Sequence, residues 1–124
     1  MFIDVDIERT KAYYSSLSQS ELCDCDCCLL YYAKSAEAFP ELSVWLHQYS
    51  ADITKPFEAM SIDPDENGIV EYIGVQYVIF GACSEDFCDN VGEAEIRLAQ
   101  SCPDTGIEEK HFVLEISTLR LTAD

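Results

Sequence analysis

The segment from Ile69 to Gly81 constrains the fold of this chain more than any other. It is long, and its apolar residues occur at both odd and even positions. Strict alternation along an extended backbone would give two apolar faces, one with Val70, Tyr72, Val78 and Phe80 and the other with Ile73, Val75, Tyr77 and Ile79. The segment therefore predicts a central strand that is covered on both sides, or is covered on one side and partnered on the other.

Further strands are predicted on both sides of this segment. Residues 57–62 precede it across a turn-forming stretch that contains Asn67-Gly68, which predicts a hairpin. Apolar and polar residues also alternate in residues 3–8, 94–98 and 112–116. Strands that follow one another without intervening helices favour an antiparallel sheet.

Two helices are predicted between the strand of residues 3–8 and the strand of residues 57–62. Apolar residues recur at spacings of three and four from Asp26 to Phe39, where Asp24 or Asp26 would serve as the N-cap. Pro40 suits the first position of a second helix that ends near Tyr49. Residues 9–21 fit either a short helix or an irregular link. The predicted fold class is α+β, with an antiparallel sheet of about four to five strands and both N-terminal helices packed on one face.

Length and charge narrow the class of protein. The chain has 124 residues, which predicts one domain over residues 1–124. Its net charge of −17 disfavours binding to nucleic acid or to anionic membranes and favours basic partners or cations. The sequence begins with acidic residues where a signal peptide would be basic, and the seven cysteines cannot all pair within one chain. These observations predict a cytoplasmic protein with reduced thiols.

Four of the seven cysteines fall within residues 23–28, and this cluster is the candidate site. Cys25 and Cys28 form a C-x-x-C pair at the predicted start of a helix, a spacing that lets two thiolates bind one Zn²⁺. A structural zinc site needs four ligands. The candidates for the other positions are Cys23, Cys27, Cys102, Cys83, Cys88, His47 and His111.

Two other interpretations of the cluster compete with a metal site. A C-x-x-C pair at a helix N-terminus is also typical of thiol–disulfide exchange, although Asp24 and Asp26 would raise the pKa of a neighbouring thiol. Alternatively, some of these cysteines are small buried apolar residues, a common role for free cysteine.

Three short motifs carry a resemblance to a group of other proteins. Cys25-Asp26-Cys27-Cys28, Pro40-Glu41-Leu42 and the stretch from Asp52 to Pro56 together resemble a group of small bacterial proteins of unknown activity with the pattern C-D-x-C, P-E-L, D-I-x-K-P. The resemblance gives weight to Cys25, Asp26 and Cys28 and takes weight from Cys23 and Cys27. It also favours Cys102 as a third ligand, since some relatives would carry histidine there. It implies no activity.

Charge and size favour a non-enzymatic cytoplasmic domain that binds a basic protein through an acidic surface, in the manner of immunity or inhibitor proteins. This hypothesis needs no catalytic residue and no cofactor. The first alternative is a zinc-binding domain that uses Cys25 and Cys28 with further ligands among Cys23, Cys27 and Cys102. The second alternative is a thiol-dependent redox enzyme.

Overall fold

The computed structural model describes residues 1–122, so the last two residues of the predicted domain lie outside it. The N-terminal half contains strand β1, three α-helices and a 3-10 helix: β1 Ile3–Val5, α1 Ile7–Ser16, the 3-10 helix Gln19–Glu21, α2 Asp26–Ala38 and α3 Pro40–His47. The other strands follow: β2 Glu58–Ile62, β3 Ile69–Cys83, β4 Cys88–Val91, β5 Ala94–Leu98, β6 His111–Ser117 and β7 Leu119–Thr122.

One antiparallel sheet is built around β3. One edge of β3 pairs with β1 and β2, the other pairs with β6 and β7, and β5 and β4 continue the sheet beyond β6. The α+β class is confirmed. The predicted number of strands was too low, because the sheet of the described residues has seven strands. The two that the sequence did not predict, β4 and β7, are only four residues long.

The predicted helices correspond to α2 and α3, which supply buried residues to one face of the sheet. Tyr31 from α2 and Leu46 from α3 are fully buried in the same cluster as Tyr77 from β3. The Tyr31 hydroxyl donates to the Tyr77 hydroxyl at 2.6 Å, and the Tyr77 hydroxyl donates to the Ile53 carbonyl at 2.7 Å. Each buried phenol therefore has a partner, which removes the cost of burying a polar group in this core.

The sequence did not decide whether residues 9–21 form a helix. In the structure, helix α1 covers the edge of β3 between the part that pairs with β1 and the part that pairs with β2. The Tyr14 hydroxyl donates to the Val78 carbonyl at 2.8 Å, and the Phe80 amide donates to the Thr10 hydroxyl at 3.1 Å. The Asp6 amide then donates to the Phe80 carbonyl at 2.8 Å. Side chains of α1 thus replace a neighbouring strand at this edge, where unpaired backbone groups would otherwise be open to another chain.

The predicted faces of β3 are wrong because a bulge interrupts the alternation. Ser61 of β2 pairs with Tyr72, whereas the preceding Met60 pairs with Gly74, so Ile73 has no partner in β2. The buried cluster beneath the helices consequently contains Val70, Tyr72, Val75, Tyr77 and Ile79. Val78 and Phe80 lie in the separate cluster on the other face. An extra residue in one strand exchanges the faces of all residues that follow it.

Two predicted element boundaries also need correction. The strand predicted over residues 3–8 ends at Val5, because Asp6 begins α1 as its N-cap and accepts a hydrogen bond from the Arg9 amide at 3.0 Å. The N-cap of α2 is Cys25 rather than Asp24 or Asp26. This position places a thiol, not a carboxylate, at the start of the helix.

Candidate metal centre

Three cysteine sulfurs converge where the chain enters α2. The Sγ atoms of Cys23, Cys25 and Cys28 all lie within 4.8 Å of one another, and this group could hold a metal ion. Cys23 and Cys25 are exposed, whereas Cys28 is buried. The cluster is therefore open on one side to solvent and anchored on the other to the core.

Local backbone structure explains why the three thiols meet. The 3-10 helix before the cluster is closed by a capping box, in which the Ser18 side chain and the Glu21 side chain each accept a backbone hydrogen bond from the other end of the turn. This compact turn brings Cys23 back towards α2. Cys25 is the N-cap and Cys28 lies in the first turn of the helix, so both thiols face the same end.

Two tyrosines hold the backbone around the cluster. The Tyr32 hydroxyl donates to the Cys23 carbonyl at 2.8 Å, and the Tyr72 hydroxyl donates to the Cys27 carbonyl at 2.5 Å. Tyr32 lies in α2 and Tyr72 in β3, so the segment is fixed from the helix and from the sheet. Such outer contacts restrict the positions of metal-binding groups before the metal arrives.

The pKa values of the Cys25 and Cys28 thiols are shifted in opposite directions. The amide of Cys28 lies near the Cys25 sulfur, and although this contact lacks the geometry of a regular capping hydrogen bond, it is the main reason that the Cys25 pKa is lowered. Burial, followed by hydrogen bonding to the Cys25 thiol, raises the pKa of Cys28. The net shift of the Cys25 pKa is thus downward although Asp24 and Asp26 are its sequence neighbours, because the helix amide prevails.

A cavity adjoins the cluster. It has a volume of about 330 Å³ and lies between the end of α1, the 3-10 helix, α2 and the start of β2. Cys23 and Cys28 form part of its wall together with Tyr32, Phe57 and Glu58. A molecule in this cavity would therefore lie beside two of the three clustered cysteines.

The structure brings together three of the five cysteines that the sequence suggested as ligands. Among the described residues, Cys27 and Cys102 lie outside the three-sulfur group. Cys27 is half-buried and packs against the core, and Cys102 is exposed in the loop before β6. Sequence reasoning missed Tyr32 and Tyr72, since only the fold shows that their hydroxyls reach the cysteine backbone.

Searches among protein-family models, curated proteins and solved structures found no match to this chain. The resemblance to small bacterial proteins with a C-D-x-C motif stays a prediction. Within residues 1–122, no helix combines the length and the apolar character that crossing a membrane requires.

Proposed function

We propose that this protein is a zinc-binding domain whose metal is held by the thiolates of Cys23, Cys25 and Cys28. The observation that carries the proposal is the convergence of three cysteine sulfurs within 4.8 Å of one another. Thiolates are the protein ligands that select soft and borderline metals such as Zn²⁺.

The spacing of the sulfurs suits a tetrahedral metal. With Zn–S bonds of about 2.3 Å, two thiolates of a tetrahedral site lie about 3.8 Å apart. The observed upper limit of 4.8 Å exceeds this value by about 1 Å. Rotation of side chains can close such a gap for Cys23 and Cys25, since both are exposed. The backbone of residues 23–28 does not need to move for the sulfurs to reach the metal.

A metal explains the cluster better than thiol–disulfide exchange does. Exchange needs one attacking thiol and one resolving thiol, and the pKa directions of Cys25 and Cys28 would suit these roles. Thiol–disulfide exchange does not need a third cysteine sulfur within 4.8 Å of the other two. Cys23 is nevertheless held there by Tyr32, so the third thiol favours metal binding.

Titration with Co²⁺ under reducing conditions tests the proposal. Bound Co²⁺ should produce intense sulfur-to-cobalt charge-transfer absorption that saturates at one metal per chain, and Zn²⁺ should displace it. Cys23→Ser and Cys25→Ser should weaken or abolish this absorption. Because both residues are exposed, these changes should leave the fold intact. Cys28→Ser is less informative, since Cys28 is buried and its loss would also disturb packing.

Cys88→Ser and Cys102→Ser are the matched controls, because both thiols are exposed and lie outside the cluster. They should bind Co²⁺ as the parent does. Charge-transfer absorption that disappears equally in a control and in Cys25→Ser would contradict the proposed ligand set. A Cys25–Cys28 disulfide that re-forms after reduction, in a protein that never binds metal, would instead favour redox chemistry.

A second candidate function is supported by an apolar patch on the outer face of the sheet. Met60, Ile62 and Ile73 are exposed there on β2 and β3, with Ile62 and Ile73 each about half exposed. Glu58 and Glu71 lie on the same two strands. Exposed apolar groups on strands that also carry carboxylates suit a basic protein that contributes apolar side chains to the contact. We propose such a partner for this outer patch, in the manner of an immunity or inhibitor protein.

Salt and one pair of variants test the second candidate. Association with a true partner should slow steeply as salt rises, because exposed charges are screened over about 8 Å at physiological ionic strength. Ile62→Asp should abolish binding, whereas Val44→Asp, an exposed position on α3, should not. A partner whose association rate ignores salt, or which binds both variants equally, would contradict the proposal.

A further inference from the structure

The three-cysteine group leaves one position of a tetrahedral metal without a protein ligand. Among the described residues, the group that lies within ligand distance contains Cys23, Cys25 and Cys28 only. Structural zinc sites usually have four protein ligands, whereas sites with three keep a position for water or for another molecule. The identity of the fourth ligand therefore decides what the centre does.

The cavity beside the cluster is on the side where a fourth ligand can enter. Its wall includes Cys23 and Cys28, two of the three cysteines of the cluster, so a metal bound to their sulfurs would lie close to the cavity. Its volume of about 330 Å³ is within the range of small-molecule sites. Aromatic rings from Tyr13, Tyr32 and Phe57 form much of the remaining wall. These rings suit a flat or apolar molecule.

The charge around the cavity selects among possible donors. Three thiolates on a divalent cation leave a net charge of −1, and the carboxylates of Glu21 and Glu58 also line the cavity. The chain as a whole has a net charge of −17. Anionic donors such as carboxylates or free thiolates would be repelled by all of these groups. Neutral nitrogen donors would not be repelled.

We propose that the fourth coordination position opens into this cavity and accepts a neutral nitrogen donor of the imidazole type in exchange for water. This inference rests on the metal centre proposed above. The donor would bind through its nitrogen lone pair while its ring packs against the aromatic wall. A cationic group elsewhere on such a ligand would be attracted by Glu21 and Glu58.

Imidazole and acetate added to the Co²⁺ form of the full chain test the inference. The visible ligand-field bands of Co²⁺ report changes in its coordination, whereas the sulfur-to-cobalt absorption reports that the metal is still bound. At a pH where imidazole is neutral, imidazole should change the ligand-field bands saturably. Its apparent Kd should be at least about tenfold lower than that of acetate.

Two variants connect the effect to the cavity. Glu58→Lys changes an exposed residue of the cavity wall and should improve acetate binding relative to imidazole. Ala59→Leu adds volume to the same wall and should weaken imidazole binding while the sulfur-to-cobalt absorption is retained. Val44→Leu, on the exposed surface of α3, is the control for added volume.

The two proposals fail in different ways. If no sulfur-to-cobalt absorption forms, the metal centre itself is refuted. If this absorption forms but imidazole changes nothing, a fourth ligand already closes the site, and the inference of an open position is overturned. If acetate binds more tightly than imidazole, the charge argument is wrong and the inference is again overturned.

Discussion

Tyr32 offers a test of the metal centre that leaves every thiol in place. Its hydroxyl donates a hydrogen bond of 2.8 Å to the carbonyl of Cys23, the cysteine that precedes the helix. The change Tyr32→Phe removes this bond and keeps the ring. We expect Cys23 to become more mobile in the metal-free protein, so that metal binding must then restrict it.

The size of the effect follows from the lost contact. A hydrogen bond between neutral groups contributes about 0.5–1.5 kcal/mol, and fixing the backbone of one residue costs about 1–2 kcal/mol. If Tyr32→Phe shifts about 1 kcal/mol of this ordering cost to the metal-binding step, the affinity for the metal falls about fivefold. The range of about 0.5–1.5 kcal/mol for the hydrogen bond corresponds to a loss of about twofold to tenfold. Tyr32 acts here as a positioning residue and is not a ligand.

Competition between the protein and a chromophoric chelator for Zn²⁺ measures the change in Kd. Tyr49→Phe is the control, because it removes a phenol from another part of the fold, next to Trp45. Circular dichroism of both metal-free variants should show that the fold is retained. If Tyr32→Phe and Tyr49→Phe bind Zn²⁺ with the affinity of the parent, the proposal that Tyr32 preorganises Cys23 is refuted.

Two further predictions concern the fold that supports the site. Gly81→Ala should lower the free energy of unfolding by at least about 2 kcal/mol, because a Cβ there would lie 2.1 Å from the Asp4 carbonyl oxygen. Gly106 also has a positive φ, +70° against +130° at Gly81, but a Cβ added there would meet nothing within 4 Å. Urea denaturation that finds equal losses for Gly81→Ala and Gly106→Ala would exclude the clash. Burial raises the pKa of the phenols of Tyr14, Tyr31 and Tyr77 above the ordinary 10.0 in the folded state. The contribution of these three groups to stability should therefore be constant below pH 10 and then fall by about 1.4 kcal/mol per pH unit for each of them. Tyrosinate absorbance that rises to completion with ordinary pKa values in a folded chain would contradict this.

The sequence predicted the strands better than it predicted their faces. Apolar runs correctly indicated the hairpin of β2 and β3 and the central place of β3. The bulge at Ile73 was not predictable from alternation, because it arises from how β2 pairs with β3. Helix α1 was ambiguous for a related reason, since Thr10 and Tyr14 are polar groups whose use becomes clear only at the edge of β3.

The candidate site was predictable to the extent that it depends on helical spacing. The C-x-x-C spacing of Cys25 and Cys28 places both thiols at the start of α2, as the structure has them. The position of Cys23 depends on the 3-10 helix and on Tyr32, neither of which has a signal in the cysteine pattern. The cavity depends on four separate elements and could be found only in the folded chain.

The most direct test of the zinc centre is the metal content of protein purified without chelator, measured by elemental analysis together with thiol titration. We predict about one zinc per chain, with the thiols of Cys23, Cys25 and Cys28 protected until a chelator is added. The exposed thiols of Cys88 and Cys102 should react at once in the same sample. Protein that contains no zinc, takes up none when it is supplied, and shows no protection of the three thiols would contradict the account.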